Sequence, residues 1–166
     1  RDFCLSRGLG DVYKRQELYC VYVLCEGDNN VYVYHYKTDK CMAKGMELVQ
    51  IIGTSDTTEN IPYAASGIEF SPDGKHLFVT NAGINTAMVY DVDKETGLLT
   101  KNCENSLGGD YPKTVAVMPD NEHFIALNNG GNEICIFRMN YDKKYFLMDS
   151  KPIKIERPNA IFIHEL

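Results

Sequence analysis

The sequence predicts an all-β fold, the C-terminal part of a β-propeller whose blades are four-stranded antiparallel sheets. Three observations lead there. Gly67–Asn81 (GIEFSPDGKHLFVTN) aligns without a gap on Thr114–Asn128 (TVAVMPDNEHFIALN), an offset of 47 residues (114 − 67), close to the length of one blade. Each copy runs from a short alternating strand through a Pro-Asp turn into a second strand that ends on Asn. The chain then finishes on PNAIFI (Pro158–Ile163), which parallels PKTVAV (Pro112–Val117) with no blade following it.

Taken in order, residues 1–16 carry neither a strand nor a helix period. Ser6–Gln16 (SRGLGDVYKRQ) matches the translation of a sequencing adapter residue for residue, so the segment is read as an artefactual or disordered tail and set aside from the fold. Residues 17–62 read as a partial blade. Tyr22–Tyr34 (YVLCEGDNNVYVY) parallels Phe78–Tyr90 (FVTNAGINTAMVY) at an offset of 56 (78 − 22), and the extra length falls in a polar connection through Gly53–Pro62.

Residues 63–107 and 108–157 read as full blades. Their innermost strands are expected at Gly67–Ser71 and Thr114–Met118, and their second strands end at Asn81 and Asn128. Third strands follow at Ala87–Val92 and Glu133–Met139, and more polar outer strands at Leu98–Cys103 and Tyr145–Ser150. Pro72-Asp73-Gly74 and Pro119-Asp120-Asn121 supply the fixed φ and the tolerance of positive φ that a tight reversal needs. Residues 158–166 read as a closing strand, innermost at Asn159–Ile163, whose blade partners lie outside the chain. The reading is therefore of a fragment with open sheet edges, whose parent is a monomer.

Composition narrows function. Without the tail's four basic and two acidic residues, 13 Lys+Arg face 21 Asp+Glu, a net charge of −8. A general phosphate-backbone binder needs a basic face, so nucleic acid is not an expected partner. Apolar runs break well short of the roughly 20 residues that span a bilayer, so no membrane partner is expected. Cys20, Cys25, Cys41, Cys103 and Cys135 form no C-x-x-C pair and read as reduced, mostly buried thiols, which fits a cytoplasmic location.

The stretches Gly67–Gly83 with Asp91–Thr100, Gly109–Asp120, and Lys151–Ile163 resemble the lactonase family of seven-bladed propellers, the group that includes 6-phosphogluconolactonase. The resemblance implies a ring of seven blades and a hydrolase that opens a sugar lactone, a small-molecule substrate, without a cofactor. Where family members read N-E-L, this chain has Cys25-Glu26-Gly27; where they read P-R, it has Pro112-Lys113. Glu26 is thereby the catalytic candidate, a general base for a water attacking the lactone carbonyl. Lys113 is the candidate for holding the substrate anion, without the planar fork of an arginine.

Asn81 and Asn128 either cap loop backbone or contact substrate. Where members read N-R-G-H, this chain has Asn81-Ala82-Gly83-Ile84, which removes an Arg and a His. Two alternatives to catalysis therefore stand: a propeller of this lineage that binds a ligand or protein without turnover, or a surface repeat propeller, since LFVTNAG also resembles a Y-V-T-N repeat.

The remaining polar residues point away from other chemistries. His76 and His123 occupy equivalent places after the turns and read as strand-edge residues. His35 and His164 have no ligand at metal spacing, and no metal site is expected. Asn129-Gly130-Gly131-Asn132 reads as a hairpin turn, because a strand follows it rather than a helix. Tyr32, Tyr34 and Tyr36 alternate on one strand face and read as packing residues.

Overall fold

The structure is a computed structural model that describes residues 18–37 and 45–164; the tail Arg1–Gln16 and Cys41 lie outside the described residues. Within them the chain forms strands and no helix. The first sheet contains β1 (Leu18–Cys25), β2 (Asn30–Lys37) and β3 (Met46–Gly53), and the second β4 (Ala64–Phe70), β5 (His76–Ala82), β6 (Thr86–Val92) and β7 (Leu99–Ser106). The third contains β8 (Pro112–Val117), β9 (His123–Asn128), β10 (Glu133–Asn140) and β11 (Tyr145–Met148). All neighbours pair antiparallel, as expected of propeller blades.

Two local expectations are corrected. The last outer strand stops at Met148, and a two-residue β12 (Ile153–Lys154) takes up the same edge of β10 after a break. Asn159–Ile163, expected as an innermost strand, joins no ladder, since no second strand lies beside it among the described residues.

Turn chemistry sets the hairpins. Gly74 sits at φ 69° and Asn121 at φ 58°, so both Pro-Asp turns use their third residue in the left-handed region. In the first, Asp73 accepts hydrogen bonds from Ser71 Oγ at 2.7 Å and Lys75 N at 3.1 Å. Partial burial pushes its carboxyl upward, but these bonds outweigh that and hold it at about 2.

Alternation along the strands gives each sheet two apolar faces, and these pack sheet against sheet. Val31 and Val33 of the first sheet meet Leu77, Val79, Met88 and Tyr90 of the second, all 0% exposed. On the opposite face of the second sheet, Phe78, Ala87 and Val89 meet Val115, Phe124, Ala126, Cys135 and Phe137 of the third. Gly67 marks where the inner strands of neighbouring sheets touch. A Cβ there would lie 2.7 Å from Thr114 Cα and 3.0 Å from Lys113 O, so only glycine allows β4 and β8 this close.

One residue recurs at every join. Asn29, Asn85 and Asn132 hold the same place in the turns after β1, β5 and β9, all with positive φ, at 55°, 57° and 53°. In each, the backbone carbonyl accepts from the chain leaving the sheet, at Thr54 N, Leu107 N and Ile155 N. The side-chain Oδ1 then accepts from the residue that enters the next blade position, Ala65 N at 2.8 Å, Tyr111 N at 3.0 Å and Arg157 N at 3.0 Å. Each Asn thus pins one sheet to the start of the next.

Replacing Asn85 separates its two roles. Asn85→Gly keeps the backbone conformation and loses the side-chain bonds, an expected cost of about 1 kcal/mol in urea unfolding. Asn85→Ala adds the left-handed penalty and is expected to cost about 2–3 kcal/mol. Equal losses for the two would show that backbone conformation plays no part.

Candidate functional site

The pairings fix which residues share one end of the sheets. β4 begins beside the end of β5 (Ala64↔Ala82) and β8 begins beside the end of β9 (Pro112↔Asn128). The asparagine joins connect these ends from sheet to sheet, so the turns after β1, β5 and β9 and the entry to β8 lie on a common rim. Glu26, Asn81, Lys113 and Asn128 all fall on it. His76 and His123 fall at the other end, where His76 Nδ1 lies 3.0 Å from Asp91 Oδ1 and its ring stacks on Tyr141 at 3.8 Å. His123 Nδ1 lies 2.7 Å from Asp120.

No side-chain hydrogen bond or ion pair joins the four rim residues to one another. Glu26 is exposed in the β1–β2 turn, where a carboxylate is free to approach solvent or ligand. Lys113 is half-buried at the bulge that opens β8, with its ammonium 5.1 Å from the centre of the Tyr111 ring. Asn81 and Asn128 are fully buried. Asn81 Nδ2 donates to Thr54 O at 2.7 Å and to Thr86 Oγ1 at 3.2 Å, and Asn128 Nδ2 lies 3.3 Å from Cys135 Sγ. Both leave Oδ1 without a partner, as does the hydroxyl of buried Thr54.

A polar network under the rim has no counterpart in the sequence reading. Glu104 on β7 accepts from Ser55 Oγ at 2.8 Å, Asp56 N at 2.7 Å and Thr86 Oγ1 at 2.7 Å. Lys101 Nζ donates to Ser55 O at 3.0 Å and pairs with Asp56. These bonds fold the Gly53–Pro62 connection over the second sheet and leave a cleft of about 600 Å³, lined by Asp56, Glu59, Gly83, Ile84, Thr86 and Glu104. Gly83 has φ 102°, and a Cβ there would lie 2.6 Å from Pro62 O, so the turn beside the cleft requires glycine. The only sequence signal for the network was the polar composition of the connection; Glu104 sits 48 or more residues from its partners in that segment.

In the third sheet, Glu133 is buried to 7% exposure and accepts from Lys154 Nζ at 2.7 Å. At the other end of the sheets, a cleft of about 410 Å³ runs between inner strands, lined by Glu69, Phe70, Val117, Ile161 and Phe162. Partial burial raises the Glu69 carboxyl above its ordinary range.

Among the described residues, no group of three or more His, Cys, Asp and Glu side chains is placed to hold a metal. Among the described residues no helix is long and apolar enough to cross a membrane. The four described cysteines are free; Cys135 is buried, while Cys20, Cys25 and Cys103 are half-buried, more open than expected. Burial pushes the Cys103 thiol up to about 12 and that of Cys135 up to about 11, which keeps both protonated and inert at neutral pH.

The family model described as Lactonase, 7-bladed beta-propeller, matches residues 12–163. A 6-phosphogluconolactonase of Formosa agariphila is 31% identical over 78 residues, covering 46% of this chain and 22% of that protein. Muconate cycloisomerase 1 of Cutaneotrichosporon cutaneum is 30% identical over 105 residues, covering 62% of this chain and 28% of that protein. Among solved structures, the periplasmic gluconolactonase of Pseudomonas aeruginosa superposes with a TM-score of 0.73 at 19% identity, covering 84% of this chain and 38% of the other. The chain thus spans between about a fifth and two-fifths of the length of these proteins.

Proposed function

This chain belongs to the lactonase family of seven-bladed β-propellers, and from that premise we propose that the whole protein hydrolyses a sugar lactone, 6-phosphogluconolactone or a related small cyclic ester. The observation that carries the reading is the placement of Glu26 and Lys113 on one rim of a chain that matches the family over residues 12–163. An exposed carboxylate in a turn has the freedom to take a proton from water as that water attacks the lactone carbonyl. The new C–O bond forms, the ring C–O bond breaks, and the proton passes to the departing ring oxygen. The Lys113 ammonium, steadied over Tyr111, binds the phosphate or carboxylate of the sugar acid as a point charge.

Asn81 and Asn128 serve this site from beneath: they fix the ends of β5 and β9, and their unpaired Oδ1 atoms leave acceptors available under the rim. A cytoplasmic location belongs to the same reading, supported by the free cysteines. A second reading, binding without turnover, is favoured by one feature: Ile84 lines the cleft and buried Ala82 adjoins it, where family members carry His and Arg.

The test is the rate of opening of 6-phosphogluconolactone and of unphosphorylated aldonolactones by the whole protein, against the spontaneous rate. Turnover above that rate, with a preference for the phosphorylated lactone that Lys113→Met abolishes, is the expected result. Tight lactone or sugar-acid binding with no turnover would transfer the case to the second reading.

A further inference from the structure

Tyr111 stands on the rim in a backbone conformation that suits glycine and not tyrosine. Its φ of 52° lies in the left-handed region, where the Cβ of an L residue crowds the backbone. Pro112 follows it, and a proline favours an extended residue before it. Neighbouring segments impose the strained form. Tyr111 N donates to Asn85 Oδ1 at 3.0 Å across the join from the second sheet, and Tyr111 O accepts from Asn129 N at 3.0 Å on the third. Gly130 supplies the room, since a Cβ there would lie 3.0 Å from Tyr111 Cβ and 2.5 Å from Asp110 Oδ2.

Core packing does not offset this strain. Tyr111 is 44% exposed, whereas Phe78 and Phe124 in the core are 0% exposed. Its ring instead lies 5.1 Å from the ammonium of Lys113, which forms no ion pair among the described residues. Tyr111 directly precedes β8, whose approach to β4 at Gly67 forms the seam between the second and third sheets. Glycine would hold the same turn without strain. What tyrosine adds is an open aromatic ring beside an unpaired cation, where two blades meet at the rim.

We infer that Tyr111 is the platform for the substrate's ring. The apolar C–H face of a cyclic sugar stacks on it, while Lys113 beside it takes the exocyclic phosphate or carboxylate. The inference rests on the anion-binding role proposed for Lys113 and supplies what that role lacks, a means of telling a cyclic sugar anion from any other anion. An ammonium is a point charge that holds a phosphate whatever carries it. A rigid aromatic body adds binding only where the ligand offers a matching apolar face, and it loses little side-chain freedom in doing so. The same device separates substrate from product. Once the ring C–O bond of a lactone breaks, the open-chain acid keeps its charge and loses the flat face, so Tyr111 favours the lactone and lets the product go.

The test is a proton NMR titration of the whole protein with glucose 6-phosphate, a cyclic sugar phosphate that is not a lactone, beside sorbitol 6-phosphate, its open-chain counterpart of equal charge. The unaltered protein is expected to bind the cyclic sugar about 10-fold more tightly and to shift its ring C–H signals upfield, as a stacked aromatic does. Tyr111→Gly is expected to abolish both the preference and the shift while leaving sorbitol 6-phosphate binding unchanged. Its urea midpoint should stay near that of the unaltered protein, because relief of left-handed strain offsets the greater freedom of glycine in the unfolded chain. Tyr111→Phe retains the ring and is expected to retain the preference, and Lys113→Met is expected to weaken both ligands alike. Equal binding of the two sugars by the unaltered protein, with no upfield shift, overturns the inference without any variant having to fold. So does a Tyr111→Gly protein that keeps the preference, or one that loses both ligands equally, which would reduce the ring to a support for Lys113. None of these readouts involves turnover. A protein that stacks the cyclic sugar and opens no lactone keeps the platform and refutes the hydrolase, and lactone opening with no upfield shift does the reverse.

Discussion

Phe124→Ala is expected to destabilise the chain by about 3–5 kcal/mol, a large share of the roughly 5–15 kcal/mol that holds a domain folded. Phe124 is fully buried and stands at the centre of an aromatic group that joins two blades. Its ring lies 5.1 Å from Phe78 on the second sheet, and 5.0 Å from both Phe137 and Phe146 on the third. Truncation removes the ring and leaves a cavity whose walls are held by two separate sheets, so collapse around it is restricted. Phe124→Leu retains most of the apolar volume and is expected to recover more than half of the loss. Urea unfolding followed by far-ultraviolet circular dichroism reads both, and a Phe124→Ala loss under 1 kcal/mol would show that the two sheets are not packed through this ring.

The period-two alternation and the gapless repeat make the sheets legible in the sequence. GIEF, HLFVTN and AMVYDV each put their apolar side chains on a face that finds a neighbour, and the Pro-Asp turns adopt the φ values that their third residues permit. Strand ends shifted by a few residues, because ladders extend for as long as a partner remains, as in Ala64–Phe70 against an expected start at Gly67. The asparagine joins were hidden in turns that read as generic polar loops. Only alignment of all three repeats places Asn29, Asn85 and Asn132 together, and nothing local distinguishes Asn85 from Asn81 four residues earlier.

The site was legible in part. Glu26 and Lys113 came from the family resemblance, at the positions of N-E-L and P-R, and the strand pairings put both at one end of the sheets. The burial of Asn81 and Asn128 was not legible, since a strand-terminal Asn faces solvent or interior according to what the next segment does. Here the Gly53–Pro62 connection covers Asn81, drawn down by Glu104, and Gly109 packs over Asn128 so closely that a Cβ would lie 1.9 Å from its amide nitrogen. Such contacts depend on tertiary approach between segments tens of residues apart, and no local period or turn signal records them.

The proposed role of the rim carboxylate in lactone opening is tested by kcat for 6-phosphogluconolactone in the whole protein with Glu26→Gln. Glutamine keeps the size and polarity of an exposed side chain that forms no ion pair among the described residues, so folding should be unaffected. If Glu26 takes the proton from the attacking water, kcat falls about 10²–10⁴-fold while KM stays nearly constant. A variant that turns over the lactone as fast as the unaltered protein would remove Glu26 from the reaction.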